Sequence, residues 1–329
     1  MKKILLFGAT GNTGVYLVDY FYNNLPRNEY EIIAVGRRTT DFFANQYGIE
    51  YISMDVSKQD EFDKLPKDDV YAVYITFAQL PTHEEYVSPH RFVDTNIVGV
   101  LNVLEYCRVN NVKKVIYTQT MSGIANVFAK ETIIKPNLPK DFPYRGDHTM
   151  YVISKNTGEE LVKYYHEQFN IDAYIFSIPT IYQYRPNRYW YVAGKKRFRT
   201  FHRMIDMACN GDDIEIWGNP NSYKDLVYVK DYCQLLYRSL FTNVKFGVYN
   251  VGTGTPTTLA EMLTGIVNVF SPKENPSRII PCPDKPNTPS YVIDIENAKK
   301  ELGYEPKYDY IAMLEDFKKE MSLNRFENI

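Results

Sequence analysis

A tyrosine and a lysine stand four residues apart in the segment Tyr151-Val152-Ile153-Ser154-Lys155, in a chain that opens with the glycine-rich run Gly8-Ala9-Thr10-Gly11-Asn12-Thr13-Gly14. On a helix this spacing puts both side chains on one face, one turn from each other. A neighbouring ammonium favours the phenolate and lowers the pKa of a tyrosine by about one to three units. Bringing a phenol from about 10 to about 7 takes roughly 4 kcal/mol, and an oxidised nicotinamide, itself a cation, would supply the rest. The pair therefore predicts proton transfer beside a bound dinucleotide.

The same spacing occurs a second time, between Tyr191 and Lys195. A chain with 29 tyrosines is expected to contain such pairs by chance. Gly194 lies inside this second pair and Pro186 just before it, which makes a helix unfavourable. The first pair instead opens the long amphipathic stretch Tyr151–Phe169. Only the first pair is predicted to share a helical face.

The bulk composition is that of an ordinary globular protein, with 329 residues, 44% apolar and 24% charged. A net charge of −2 gives no general affinity for nucleic acid or anionic membranes. The four cysteines are scattered, with no CxxC motif and no histidine at metal-ligand spacing. We therefore expect reduced thiols, a cytoplasmic protein and no metal site. No stretch reaches the length of a membrane span.

The first 180 residues alternate short apolar runs with helical patterns, which is typical of a parallel sheet covered on both faces. Strands are predicted at Lys3–Gly8, Glu31–Gly36, Glu50–Met54, Val70–Thr76, Lys113–Thr120 and Ala173–Ile178. Helices of this part are predicted at Gly14–Tyr22, Arg91–Val109 and Tyr151–Phe169. After Pro179 the elements shorten, and helices are predicted at Asp231–Phe241, Thr258–Val269, Ile295–Leu302 and Tyr310–Met321.

A glycine-rich turn joins the first strand to the first helix through Gly8, Gly11 and Gly14. Glycines allow a tight turn and a close backbone approach to a pyrophosphate, and the helix N-terminus supplies N–H donors. The position between strand and helix makes this motif more specific than a glycine triplet alone. The remaining turn residues predicted to contact the dinucleotide are Thr10, Asn12 and Thr13.

The second strand ends in Arg37 and Arg38, where NAD-binding sites usually carry a carboxylate for the ribose 2′-hydroxyl. Two guanidinium groups suit a 2′-phosphate through forked hydrogen bonds, unless they are solvated surface residues. This chemistry favours NADP over NAD as the cofactor. Asp55 and Val56, just past the third strand, are placed to flank the adenine.

These features predict an α/β fold, a Rossmann-type doubly wound parallel sheet with a smaller mixed α/β C-terminal substrate lobe. Residues 1–179, with part of 224–252, are assigned to the dinucleotide-binding domain. Residues 180–223 and 253–329 are assigned to the substrate-binding lobe.

Several ordered motifs together resemble the extended short-chain dehydrogenase/reductase family, also called the NAD-dependent epimerase/dehydratase family. The resemblance covers nearly the whole chain. Asn96–Glu105 is similar to the fourth helix of the family, and Lys114–Thr120 to its fifth strand. The C-terminal matches are Lys224–Asp231, Tyr249–Gly252 and Glu301–Pro306.

The resemblance implies roles for individual residues. Tyr151 is the general acid/base, Lys155 binds the nicotinamide ribose, and Thr120 donates a second hydrogen bond to the substrate oxygen, with Thr118 or Ser122 as possible helpers. Further cofactor contacts are implied at Phe77, Ala78 and Pro179. Substrate contacts are implied at Ser122, Thr180, Lys224 and Lys285.

The chain departs from the family pattern at several of these positions. Lysine at 224 and 285 replaces the usual arginine, which keeps the charge but loses the bidentate fork. Thr180 stands where the family has asparagine. Met121 and Ser122 follow Thr120, where the 4,6-dehydratases carry Asp-Glu, so dehydration is disfavoured.

The resemblance implies an NAD(P)-dependent enzyme that transfers hydride reversibly at a sugar carbinol or ketone. The substrate is expected to be a nucleotide sugar and the reaction a 4-epimerisation or a 4-keto reduction. A non-catalytic dinucleotide-sensing regulator is the alternative, disfavoured by the intact set of Thr120, Tyr151 and Lys155. The resemblance also implies a homodimer that pairs the helices Arg91–Val109 and Tyr151–Phe169.

Residues 185–203 form a basic and aromatic segment with no acidic residue. Such interleaving is typical of single-stranded nucleic acid binding, but the rest of the chain is not basic. A solvated loop is a second interpretation. We favour a third, a flap over the substrate site that attracts a diphosphate or another anion.

Overall fold

A seven-stranded parallel sheet forms the centre of the molecule in the computed structural model, which describes residues 1–327 and 329. The strand order is Glu50–Ser53 (β3), Tyr30–Gly36 (β2), Lys2–Phe7 (β1), Val70–Ile75 (β4), Lys114–Thr120 (β5), Asp172–Ile178 (β7) and Phe246–Asn250 (β14). The direction of winding reverses between β1 and β4. The predicted α/β, doubly wound class is confirmed. In such sheets ligands bind at this reversal, beyond the carboxyl ends of the strands.

The helices are Gly14–Asn24 (α1), Phe42–Tyr47 (α2), Pro89–Val93 (α3), Gly99–Val109 (α4), Thr149–Phe169 (α5), Thr200–Asn210 (α6), Val229–Ser239 (α7), Leu259–Phe270 (α8), Glu296–Leu302 (α9) and Tyr310–Leu323 (α10). Single 3₁₀ turns lie at Gln59–Lys64 and Met121–Ile124, and a π-helical turn at Asp94–Val98.

Alternate residues of each central strand enter two separate cores, because successive side chains of a strand point to opposite faces. Ile4 and Leu6 of β1 belong to the core on one face, with Tyr16 of α1. Leu5 and Phe7 belong to the core on the other face, which α4 and α5 cover. Both faces are therefore dry, which explains the uninterrupted apolar runs in the sequence.

The C-terminal part is built from pairs of short strands. They lie at Ile133–Ile134 (β6), Ile181–Tyr182 (β8), Tyr189–Val192 (β9), Lys195–Phe198 (β10), Ile214–Trp217 (β11), Tyr223–Asp225 (β12), Val227–Tyr228 (β13), Pro256–Thr258 (β15), Ile279–Cys282 (β16) and Val292–Ile293 (β17). Pairs β8/β13, β6/β17 and β11/β16 are parallel, and β9/β10 and β12/β15 are antiparallel. Helices α6 and α8 pack beside them, and α10 packs against α8.

The six predicted strands occur within one residue at each end, and the helices within two, with one exception. The expected helix Arg91–Val109 begins at Pro89 and contains the π-helical turn. The strand β14 was not predicted, because Gly247 and Asn250, residues that are rare in strands, interrupt its apolar pattern. The division into a dinucleotide domain and a C-terminal lobe stays a prediction, and Asn328 of that lobe lies outside the described residues.

Within the described residues, no helix is long and apolar enough to cross a membrane.

Candidate active site

A cleft of about 420 Å³ lies at the carboxyl ends of β1 and β4, where the winding of the sheet reverses. Residues from both halves of the sheet and from the segment after β7 surround it. The predicted site residues in its lining are Gly8, Thr10, Gly11, Asn12, Thr13, Arg37, Arg38, Asp55, Val56, Phe77, Ala78, Thr120, Tyr151, Lys155, Pro179 and Thr180.

The glycine turn is packed so tightly that side chains would not fit. Gly8 has a φ of +90°, and a Cβ there would lie 2.7 Å from the Phe77 backbone nitrogen. A Cβ on Gly14 would lie 2.0 Å from the Gly8 carbonyl oxygen. Gly14 is buried beneath the turn and does not line the cleft. The close approach of helix α1 to the strand leaves the turn's backbone open to the cleft, as a pyrophosphate requires.

The two arginines after β2 have different surroundings. The charge of Arg37 acts on Asp55, a carboxylate that also accepts hydrogen bonds from the Ser57 backbone and hydroxyl at 3.0 and 2.8 Å. Burial raises the pKa of Asp55, but these contacts outweigh it, and the net pKa is lowered. Nη1 of Arg38 lies 3.5 Å from the Thr10 carbonyl oxygen, at the glycine turn. Arg38 is exposed and lines the cleft at this turn, where it can contact an anion.

Thr120, Tyr151 and Lys155 meet where β5 ends against helix α5. All three side chains line the cleft, and each is at most 8% exposed. Burial raises the pKa of Tyr151 to about 12, while a hydrogen bond with Thr120 acts in the opposite direction. The sequence predicted that Lys155 would lower the pKa of Tyr151. In the structure this pKa is raised instead, because burial of the phenol is the largest effect on it.

Lys155 is a buried amine. Its Nζ lies over the Tyr117 ring, 4.1 Å from the centroid. Burial lowers the pKa of Lys155 to about 7, and the charge of Glu159 partly opposes this shift. The amine can therefore gain or lose a proton near neutral pH, and a ligand that stabilised its charged form would restore the expected effect on Tyr151.

Gln119 connects the strand to the helix beneath these residues. Its Oε1 accepts the Thr120 backbone N–H at 2.7 Å. Its Nε2 donates to the Lys155 carbonyl oxygen at 3.1 Å and to Glu159 at 2.6 Å. One buried side chain therefore sets the distance between the end of β5 and the turn of α5 that carries Lys155.

The hydroxyl of Thr120 accepts the Ser122 backbone N–H at 3.1 Å. This is the strand-end bond that any threonine can make, yet the hydroxyl keeps its own hydrogen to donate. Thr118 also lines the cleft, but its hydroxyl donates to the Ile75 carbonyl oxygen at 3.2 Å. Thr118 is therefore poorly suited to the assisting role expected for it.

Three predicted substrate residues lie outside the lining of the cleft. Ser122 belongs to the 3₁₀ turn that follows β5. Lys224 lies in β12, opposite Thr257 of β15. Lys285 is exposed after β16, with its Nζ 5.3 Å from the centre of the Trp217 ring. None of the three lines the cleft that holds Tyr151, and their assignment to substrate stays a prediction.

The chain matches the NAD dependent epimerase/dehydratase family over residues 4–252. The chain belongs to this family. The resemblance seen in the sequence is confirmed.

Relatives of this family have the same length and fold. A putative UDP-glucose 4-epimerase of Methanocaldococcus jannaschii is 26% identical over 312 residues, 93% of this chain and 94% of that protein. The structure of UDP-glucose 4-epimerase with UDP-glucose from Thermotoga maritima has a TM-score of 0.72 at 20% identity, covering 97% of this chain and 99% of that one. The structure of dTDP-glucose 4,6-dehydratase from Bacillus anthracis in complex with NAD has a TM-score of 0.73 at 18% identity, covering 99% of each chain. At these identities the structures establish the fold alone.

Several cleft residues of this epimerase/dehydratase chain were missed in the sequence. Arg199 falls in the basic segment 185–203, which was assigned to the substrate instead. Gln183 has a buried Oε1 with no hydrogen-bond partner in the structure, so it can accept a hydroxyl or amide hydrogen from a ligand. The residues missed include Gln79, Leu80, His83, Thr95, Gln183 and Arg199.

The second tyrosine–lysine pair lies on a hairpin. Strands β9 and β10 pair antiparallel, and the turn between them has positive φ at Ala193 and Gly194. The predicted absence of a helix at this pair is confirmed. Only Tyr151 and Lys155 share a helical face.

Proposed function

We propose that this chain is an NAD(P)-dependent enzyme that transfers hydride reversibly at a sugar carbinol or ketone of a nucleotide sugar. The observation that carries the proposal is the meeting of Thr120, Tyr151 and Lys155 in the same cleft as the glycine turn. A proton-transfer group and a phosphate-binding turn in one cleft suit oxidation and reduction of an alcohol.

In this proposal Tyr151 transfers the proton to or from the substrate oxygen, and Thr120 donates a second hydrogen bond to that oxygen. Lys155, protonated when ligands fill the cleft, stabilises the tyrosinate and holds a ribose hydroxyl. A bound nicotinamide would accept or supply the hydride. Burial of the three side chains excludes water, which strengthens each of these electrostatic contacts.

Dehydration is disfavoured by the residues that follow Thr120. Met121 is 3% exposed and belongs to a hydrophobic core, and Ser122 does not line the cleft. Neither offers the acid and base that water elimination needs. The two remaining reactions are 4-epimerisation, in which the hydride returns to the opposite face, and 4-keto reduction, in which the cofactor exchanges.

The cofactor we propose is NADP, with NAD as the alternative. Support comes from Arg38, which lies at the glycine turn, and from the position after β2 having no carboxylate before Asp41. The substrate is a small molecule. The scattered cysteines and neutral charge balance suit a cytoplasmic protein that binds neither nucleic acid nor membranes.

The test is to identify the dinucleotide that co-purifies and to assay UDP- and dTDP-sugars with it. Tightly held NAD would support an epimerase. An empty cleft that binds NADPH more tightly than NADH would support a reductase. A bound dinucleotide with no hydride transfer to any nucleotide sugar would favour the regulatory alternative and contradict the proposal.

A further inference from the structure

Two half-buried arginines after β7 have no carboxylate partner in the part of the chain that the structure describes. These are Arg185 and Arg199. Arg188, between them, forms an ion pair with Asp206 at 2.5 Å. Charged groups removed from water are retained when they are paired or hydrogen-bonded. The two unpaired guanidinium groups therefore call for an anion that the protein itself does not supply.

Arg185 does not itself line the cleft, but it lies near Tyr16 of α1 and Arg38, both in the dinucleotide half of the molecule. Its Nη1 is buried and has no hydrogen-bond partner in the structure. Arg38 lies close enough that its charge, together with burial as the larger cause, lowers the pKa of Arg185 to about 10, partly opposed by Tyr16. The charges of Arg38 and Arg185 repel each other, and an anion bound between them would remove this repulsion.

Arg199 lines the cleft itself, with its guanidinium 5.4 Å from the centre of the Trp190 ring. His83, a second cleft residue, has its pKa lowered by burial and by the charges of Arg199 and Arg38. The cationic surface thus continues from Arg199 past His83 to Arg38. Glu84, the acid next to His83, is held by Arg91 at 2.6 Å and is not available to these cations.

The β9/β10 hairpin holds this surface in place. The Tyr191 backbone N–H donates to the Thr82 carbonyl oxygen at 2.9 Å. The Ala193 backbone N–H donates to the Asp147 carboxylate at 2.7 Å. The hairpin is thereby attached to the loop that carries His83 and to the loop that precedes α5, and Arg199 follows directly after its second strand.

We propose that Arg185 and Arg199, together with Arg38, form a subsite for a phosphoryl group of the dinucleotide bound at the glycine turn. Segment 183–199 would then complete the cofactor site. Residues 185–203 were instead predicted from the sequence to form a flap over the substrate site. This inference rests on the proposed function, because it takes a dinucleotide as the cofactor. The phosphoryl group is either the pyrophosphate, common to NAD and NADP, or the 2′-phosphate of NADP.

The test measures the Kd of NADH and NADPH at fixed salt for Arg199→Gln and Arg185→Gln. Each variant is expected to weaken binding about tenfold, the effect of losing one charge-assisted hydrogen bond. An equal loss for both dinucleotides assigns the pyrophosphate, and a larger loss for NADPH assigns the 2′-phosphate. The control is Arg197→Gln, which removes an exposed charge of β10 and is expected to change Kd less than about twofold.

Unchanged Kd values for both dinucleotides in both folded variants would overturn the proposal, as would a loss confined to UDP binding. Should the variants fail to fold, arginine modification of the wild-type protein by phenylglyoxal, followed by mass spectrometry, gives the same answer. NADPH is expected to protect Arg199, which lines the cleft, and to leave Arg197 reactive; equal reactivity of Arg199 with and without NADPH contradicts the subsite. These readouts do not need turnover, so an inactive protein that binds NADPH through Arg199 would contradict only the proposed reaction.

Discussion

Gln119 donates a hydrogen bond to the buried carboxylate of Glu159 over 2.6 Å, and this contact joins the end of strand β5 to helix α5. Glu159 is 2% exposed and also binds Lys140 at 2.6 Å and Lys163 at 2.8 Å. The network lies one helical turn beyond Lys155, whose charged form it favours. The candidate catalytic side chains are therefore supported by a polar network within the hydrophobic layer under α5.

Gln119→Leu should lower turnover while cofactor binding persists, because the Thr120 backbone N–H loses its acceptor. An unmet buried donor costs about 1–3 kcal/mol, which we expect to appear as a lower Tm and about a tenfold lower kcat. The matched control is Gln234→Leu, another buried glutamine, whose Oε1 accepts the Glu305 N–H at 3.2 Å. Equal losses of kcat in both variants would reduce Gln119 to a purely structural role.

Tyr151→Phe should reduce turnover by about 10²–10⁴-fold, the usual contribution of a general acid or base. Dinucleotide affinity should hold within about twofold, since the glycine turn is untouched. Tyr191→Phe, in the tyrosine–lysine pair that lies on the hairpin, should retain full turnover. Steady-state kinetics and equilibrium binding check both variants. If Tyr151→Phe turned over as fast as the wild-type protein, Tyr151 would have no role in proton transfer.

Lys155→Met should flatten the pH dependence of stability in the ligand-free protein. Burial lowers the native pKa of Lys155 to about 7 from its ordinary value of 10.5. Between these values the unfolded chain binds the proton and the native chain does not, so the free energy of unfolding rises with pH. The slope is at most about 1.4 kcal/mol per pH unit.

Below pH 7 both states of the wild-type protein are protonated, and the native state carries the full burial penalty. The stability advantage of Lys155→Met should therefore be largest there and shrink as the pH rises toward 9. Urea denaturation at several pH values measures this difference. Parallel curves for the two proteins would show that Lys155 keeps its ordinary pKa.

Gly14→Ala should destabilise the protein by about 1–3 kcal/mol through overpacking and abolish dinucleotide binding. The new Cβ would lie 2.0 Å from the Gly8 carbonyl oxygen, so helix α1 must move away from the turn. Gly48→Ala is the control, because open space surrounds that residue although its φ is +63°. It should lose about 1–2 kcal/mol from the left-handed backbone and bind the dinucleotide normally. Calorimetry and a binding titration separate the two effects.

The predicted homodimer through α4 and α5 stays a prediction that light scattering can test. Leu101 on α4 and Tyr164 and Phe169 on α5 are 37%, 53% and 41% exposed. Tyr164→Glu should shift the mass toward a monomer, because a buried unpaired carboxylate opposes association. Leu323→Glu, at a 51% exposed position of α10, should leave the mass unchanged. A wild-type protein that is already monomeric would overturn the prediction.

The sequence alone determined the elements that hold the cleft. Strand β5 and helix α5 were predicted within one and two residues because burial on both sheet faces and on one helix face imposes local periods of apolar residues. The glycine turn was also predicted from the sequence, because the constraint that requires glycine at 14 is local. A Cβ there would clash with Gly8, only six residues earlier in the chain. The positions of Thr120, Tyr151 and Lys155 could be predicted with these elements, because Thr120 ends β5 and the other two residues lie on α5.

Only the tertiary structure decided which distant residues share the cleft. Arg199 lines the cleft and Lys285 does not, although both are cations in the C-terminal part of the chain. The hairpin contacts to Thr82 and Asp147 join residues far apart in the chain, and no local period records them. Likewise, the pKa of Tyr151 is governed by burial, which depends on the assembled neighbours and outweighs the helical spacing to Lys155.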